Sequence, residues 1–188
     1  MKISKLGIAA ACLPAALVIT TLAIVPVSSA SSGLGRFRDP GQVTYSTRLH
    51  PGECHARGQL PDPRCTPGSI DTVVTQANIH STICTVGYTK KIRPPSSQTA
   101  ALKYDTSYPA YSIPAGAKGE EDHLVPLELG GSNDVTNLWP EAGSIPNRKD
   151  TAENAARRAV CDGRMSLAAA QEAIASNWIR LGQKLGVT

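Results

Sequence analysis

The sequence predicts a small α+β domain, stabilised by disulfides and preceded by a removable leader. Three observations carry that expectation. Apolar residues crowd into the first thirty positions, an even number of cysteines follows them, and the last third reads strand, turn, strand, helix, helix. At 188 residues, 18% charged and 4% aromatic, the chain has material for one modest core.

Residues 1–30 read as an address. Met1 to Lys5 is a short positive stretch, Leu6 to Val27 is apolar with breaks at Pro14 and Pro26, and Ser28-Ser29-Ala30 puts small residues at a cleavage site. That layout predicts a secretory signal peptide cut after Ala30 and a protein in the cell envelope or outside it. A retained span is the rival, since the apolar run could cross a bilayer. The small-residue site favours cleavage and no lasting membrane association. A lipid anchor through Cys12 is disfavoured, because a very short apolar run precedes it. Without the leader, seventeen basic residues face fifteen acidic ones. So weak a net charge excludes a polycation that binds by bulk electrostatics, and the clustered apolar residues exclude full disorder.

Export accounts for the cysteines. Cys54, Cys65, Cys84 and Cys161 remain after the leader, an even set in an oxidising setting, so two disulfides are expected with three connectivities open. A zinc module is the alternative, but no C-x-x-C pair is present.

Residues 31–63, rich in Gly, Pro, Ser and Arg, read as a linker or loosely held extension, and 64–188 as the domain. Ser69 to Ala77 and Ile83 to Tyr88 carry β-branched runs that suit short strands. Ser97 can cap a short helix over Gln98 to Tyr104. Leu124 to Leu129 and Asn137 to Pro140 suit two strands around a turn at Gly130-Gly131, with Pro126 arguing for an edge. From about Asn147 to Cys161 small apolar residues recur every three or four positions (Ala152, Ala155, Ala156, Ala159), and Gly163 ends the pattern. Ser166 then caps a last helix whose apolar face is Leu167, Ala170, Ile174, Trp178 and Leu181.

Chemistry concentrates at Glu120-Glu121-Asp122-His123, where acids adjoin a histidine. On a strand neighbouring side chains point to opposite faces, so Asp122 and His123 would address a reacting group from two sides. A neutral imidazole is a natural base at ordinary pH, and a carboxylate is a natural ligand for a hydrated cation. A hydrogen-bonded surface pair is the plain alternative.

The run from Asp122-His123 through Leu124-Val125-Pro126-Leu127-Glu128-Leu129 to Gly130-Gly131, then Asn137-Leu138-Trp139-Pro140, resembles the HNH nuclease signature. A polar helix from Asn147 follows at the expected distance. The likeness spans about 119–160. Leu60-Pro61-Asp62-Pro63 before Cys65, and Val160-Cys161 before the last helix, resemble small secreted bacterial HNH-like proteins.

That resemblance sharpens the fold class to a small disulfide-stabilised α+β domain with a ββα-metal motif followed by a C-terminal helix. It implies a metal-dependent endonuclease that hydrolyses DNA, and RNA as a further candidate, with low sequence specificity. It makes His123 the general base, Asp122 a metal ligand and Asn137 the residue that ties the Gly-Gly loop in place. It implies one divalent cation, Mg²⁺ first with Mn²⁺ or Zn²⁺ as alternatives, and no small-molecule cofactor. In the family a helical ligand stands about nine residues after the central Asn, where this chain has Pro146. Asn147, Asp150 and Asn154 are therefore the candidate helical ligands, and the register is open. Lys90-Lys91-Ile92-Arg93, Arg148-Lys149 and Arg157-Arg158 are candidate phosphate contacts. The departure at Pro146 supports an alternative, a non-catalytic exported module that binds nucleic acid or an envelope partner on the same scaffold. A cell-wall hydrolase has no recognisable motif here.

Overall fold

The computed structural model describes residues 35–37 and 41–187, so the leader and its cleavage site lie outside the described residues. Among the described residues no helix is long and apolar enough to cross a membrane. Among the described residues the architecture is mixed α and β, with two small sheets, five α-helices and two disulfides. Strand β1 (Gly35–Phe37) pairs in parallel with β2 (Ser69–Asp71). Helices α1 (Tyr88–Ile92) and α2 (Ser96–Leu102) follow, and α2 runs on through a π-turn at Lys103–Ser107 into α3 (Tyr108–Ala110). Strands β3 (Gly119–His123) and β4 (Leu138–Ala142) form an antiparallel pair, and α4 (Arg148–Cys161) and α5 (Leu167–Lys184) close the chain.

The two last helices follow their sequence pattern. Asn147 caps α4, accepting from the backbone N–H of Lys149 and Asp150, and Ser166 caps α5, accepting from that of Ala169. Alanines at 152 and 156 let α4 approach α5 closely. Together they enclose Val160, Ile174, Trp178 and Leu181 in a core shared with Ile70, Val74, Ile79, Ile83, Val125 and Leu129. A second cluster joins Cys54, Cys65, Ala110, Tyr111, Leu124 and Trp139. The disulfides link Cys54 to Cys65 and Cys84 to Cys161.

Four expectations need correction. Ser97 lies inside α2, whose N-cap is Pro95 with no side-chain cap bond. The first strand of the hairpin is Gly119–His123, a step earlier than the apolar run, and Leu124 to Leu129 is a buried loop ending in a 3₁₀ turn at Leu127–Leu129. Pro126 lacks the N–H a ladder requires, and Leu124, Val125, Leu127 and Leu129 are all buried, so the run has no polar face to alternate. Ile83 to Tyr88 forms turns leading into α1, pinned through Cys84. Residues 41–63 are not loosely held. Thr44 N–H donates to the Asn133 carbonyl, Val135 N–H to the Thr44 carbonyl, and the Asp134 carboxylate accepts from Thr44 Oγ1, Ser46 N and Ser46 Oγ. Hydrogen bonds to residues about ninety positions away order this segment, and these leave no periodicity in a sequence.

Candidate active site on strand β3

Alternation on β3 sorts its residues into two environments. Glu120 and Asp122 point to one side, with Trp139 and Glu141 of β4 opposite them in register, beneath the first turns of α4. Glu121 and His123 point to the other side and line a groove of about 460 Å³ with Arg93, Ser96, Thr99, Lys103 and Tyr104. Asp122 and His123 thus face opposite ways, as the strand geometry requires.

His123 is buried, 6% exposed, at the floor of this groove. Its Nε2 lies 2.7 Å from Oδ1 of Asn133. Asn133 in turn donates through Nδ2 to the Ile92 carbonyl at 2.9 Å, which fixes its amide orientation. An amide oxygen can only accept, so Nε2 carries the proton and Nδ1 the lone pair. Burial pushes the imidazole down to about 4, so the ring is neutral at ordinary pH. Beside it, burial pushes Glu121 up to about 8, with the nearby Asp122 adding to the effect; a hydrogen bond from Ser107 Oγ at 2.5 Å opposes it. Lys103 is anchored by donating to the Gly119 carbonyl at 2.6 Å, and exposed Arg93 stands at the rim.

Asn137 holds the loop behind the site. Its Oδ1 accepts from Val125 N at 2.9 Å and Ser69 N at 3.3 Å, and its Nδ2 donates to the carbonyls of Val125 and Ser132. The loop leaves no room at Gly131, where a Cβ would sit 1.7 Å from the Val125 carbonyl oxygen. Asn137 therefore positions the backbone that follows His123.

On the opposite side, the residue of α4 that meets Asp122 is Lys149. Its ammonium lies 2.7 Å from Asp122 Oδ2, is also paired with Glu153, and donates to the His123 carbonyl at 2.7 Å. Lys149 is 0% exposed. Burial alone would lower its pKa, but Asp122 and Glu153 outweigh that and hold it above its ordinary value. Burial and the crowding of like charge push Glu141 up to about 8 and, against the pull of Lys149, Glu153 up to about 7.

A metal shared by Asp122 and the helix does not fit these residues. The oxygen of Asn147 already accepts two backbone N–H groups, and its Nδ2 donates to Glu120 and Glu141. Asp150 completes the cap by accepting from Asn147 N, and Asn154 donates to the Asp150 carbonyl. These three line a different cleft, of about 740 Å³, with Trp139, Glu141 and Tyr111. The helical position facing Asp122 is filled by a cation of the chain itself. Glu53, Cys54 and Cys65 also gather ligand-type atoms, but both sulfurs are spent in a disulfide.

Sequence reasoning missed Asn133 and Glu153, gave Glu121 no role of its own, and took Lys149 for a phosphate contact where it is a buried ion-pair partner. The i, i+4 spacing of Lys149 and Glu153 was a readable signal of pairing. Nothing local marked Asn133, because its partners are brought by α1 and β3. Of the basic clusters, Lys149 is withdrawn from the surface and Arg157 donates to the Ile83 carbonyl, while Lys90, Lys91 and Arg93 are exposed. Comparisons with family models, curated proteins and solved structures find no match in any of the three.

Proposed function

We propose that the chain is an exported enzyme that cleaves phosphodiester bonds of nucleic acid, DNA or RNA, with His123 as the general base. The observation that carries this reading is the chain of bonds from Ile92 through Asn133 to His123. It holds a neutral imidazole in one tautomer, with Nδ1 free of the proton, in a groove whose other polar residues include Arg93 and Lys103. Two guanidinium or ammonium groups beside a base suit a phosphate substrate, since they offset charge that grows on the phosphoryl oxygens during attack. Asn137 and Asn133 are positioning residues. The leader read from residues 1–30 and the two disulfides support action outside the cell.

The test is incubation of the secreted protein with supercoiled plasmid and with single-stranded RNA, beside a His123→Ala variant. Cleavage by the wild type that falls at least about a hundredfold in the variant is expected. Equal cleavage by both would remove His123 from the chemistry.

A second reading, an exported module that binds nucleic acid without cutting it, is favoured by one observation: the α4 residue that meets Asp122, the strand carboxylate that the resemblance makes a metal ligand, is a lysine. Salt-sensitive binding with no cleavage under any condition would select it.

A further inference from the structure

The cleft between β3 and α4 has the form of a cation site whose cation is covalently attached. A carboxylate from the strand, Asp122, a carboxylate from the helix, Glu153, and the carbonyl oxygen of His123 surround one positive centre, the Lys149 ammonium. An ammonium has three N–H donors, and here each meets an oxygen. The lysine sits two positions into α4 with its whole side chain buried, so it cannot swing to solvent to admit another ion. A divalent ion entering beside it would place two cations against the same two carboxylates in a region of low dielectric, which is strongly unfavourable. Of the other candidate ligands, Asn147 and Asp150 form the helix cap, and exposed Asn154 is bonded back to the Asp150 carbonyl.

We infer that Lys149 is the permanent cation of this cleft, in place of a divalent metal, and that the site acts on RNA without one. The second half rests on the phosphodiesterase reading; the first half does not. The chemical link is the nucleophile. Attack by water on DNA depends heavily on activation of that water, whereas RNA carries its own nucleophile next to the phosphorus. His123 Nδ1 would take the proton of the 2′-hydroxyl. The O2′–P bond then forms as the P–O5′ bond breaks, and the departing O5′ takes a proton from solvent. The products are a 2′,3′-cyclic phosphate and a 5′-hydroxyl. Lys149 takes part as a positioning residue, through its bond to the His123 carbonyl, and its charge remains paired on the far side of the strand.

The experiment has two arms on the full secreted chain. In the first, MnCl₂ is titrated into wild type, Asp122→Asn and Lys149→Asn, followed by calorimetry and by the Mn²⁺ electron spin resonance signal. Wild type and Asp122→Asn are expected to give the same trace, and Lys149→Asn to bind Mn²⁺ at least about tenfold more tightly, since it frees two carboxylates. One Mn²⁺ bound by wild type and lost in Asp122→Asn or in Glu153→Gln overturns the assignment. The wild-type trace decides even where a variant fails to fold. In the second arm, RNA and DNA are offered in excess EDTA. Cleavage of RNA to cyclic phosphate ends, with DNA untouched, is expected. Cleavage that stops in EDTA and returns with Mn²⁺ overturns the metal-free mechanism. A chain that cuts neither polymer under any condition sinks the phosphodiesterase reading, and the titration still judges Lys149.

Discussion

Asn133 accepts from Nε2 of His123 at 2.7 Å while its own amide nitrogen donates to the Ile92 carbonyl at 2.9 Å. The second bond gives the first its direction. A freely rotating amide could offer either end to the ring, but an Asn133 tied to Ile92 can offer only oxygen.

Replacing Asn133 by Ala should therefore release the tautomer. Long-range ¹H–¹⁵N spectra of His123 are expected to show one ring form in wild type and a mixture in the variant. On the proposed phosphodiesterase reading, nucleic-acid cleavage should fall on the order of tenfold to a hundredfold, mainly in kcat, because binding groups stay in place. Asn133→Asp keeps the acceptor and adds a charge that favours imidazolium. Its acid limb should move to higher pH.

Two neighbours on one strand face should pull stability in opposite directions with pH. His123 has its pKa depressed to about 4 from an ordinary 6.5, so the unfolded chain binds its proton more readily. Its contribution is complete above about pH 6.5 and is lost as pH falls through 4, on the order of 3 kcal/mol at most. Glu121 is the reverse. Its pKa is raised to about 8, so its contribution is complete below about 4.5 and is lost as pH rises through 8. Against wild type, Glu121→Gln should gain melting temperature steadily from pH 5 to pH 8.5, and His123→Asn should gain as pH is lowered from 6.5 to 4. Parallel curves for wild type and Glu121→Gln would show that Glu121 is ionised and solvated in the folded protein.

The parts of this site that were legible in the sequence are those made by near neighbours. Asn147 and Ser166 precede helices they cap, the α5 face is spaced for burial, and Asn137 stands at a turn whose backbone it binds. The strand at Gly119–His123 has bounds that hydropathy does not mark, because three consecutive acids do not alternate. It is a strand because β4 supplies its ladder and the helices on either side supply partners for its charges. The sequence makes Lys149 a candidate phosphate contact and hides its burial for a similar reason. In the run Arg148-Lys149-Asp150 nothing distinguishes the lysine that points inward from the arginine that remains exposed.

That inward lysine makes a specific demand on stability. Lys149→Met leaves Asp122 and Glu153 facing each other without a counterion, and losing one partner of a buried ion pair costs about 3–5 kcal/mol. Urea denaturation should report a loss of that size. The triple variant Lys149→Met, Asp122→Asn, Glu153→Gln removes the stranded charges and should recover much of it. A loss under about 1 kcal/mol in the single variant would mean that water reaches the pair and screens it.

The two disulfides should differ in weight because they close loops of very different length. Cys54 and Cys65 are 11 residues apart, Cys84 and Cys161 are 77 apart. In the chain-entropy account the long loop restrains the unfolded chain more, by about 4.5 kcal/mol against about 2.8 kcal/mol for the short one. Location reinforces the difference. Cys84–Cys161 joins the turn before α1 to the last residue of α4, the helix that carries Lys149 under the β3 site. Cys54–Cys65 fastens the segment 41–63 at the second core cluster. Replacing Cys84 and Cys161 together by Ala should therefore lower the denaturation midpoint more than the same change at Cys54 and Cys65. It should also loosen the α4 cap, seen as faster amide exchange at Lys149 and Asp150. Faster exchange confined to the neighbourhood of the removed bridge, with α4 unaffected, would show that α5 packing alone holds the helix against the strand.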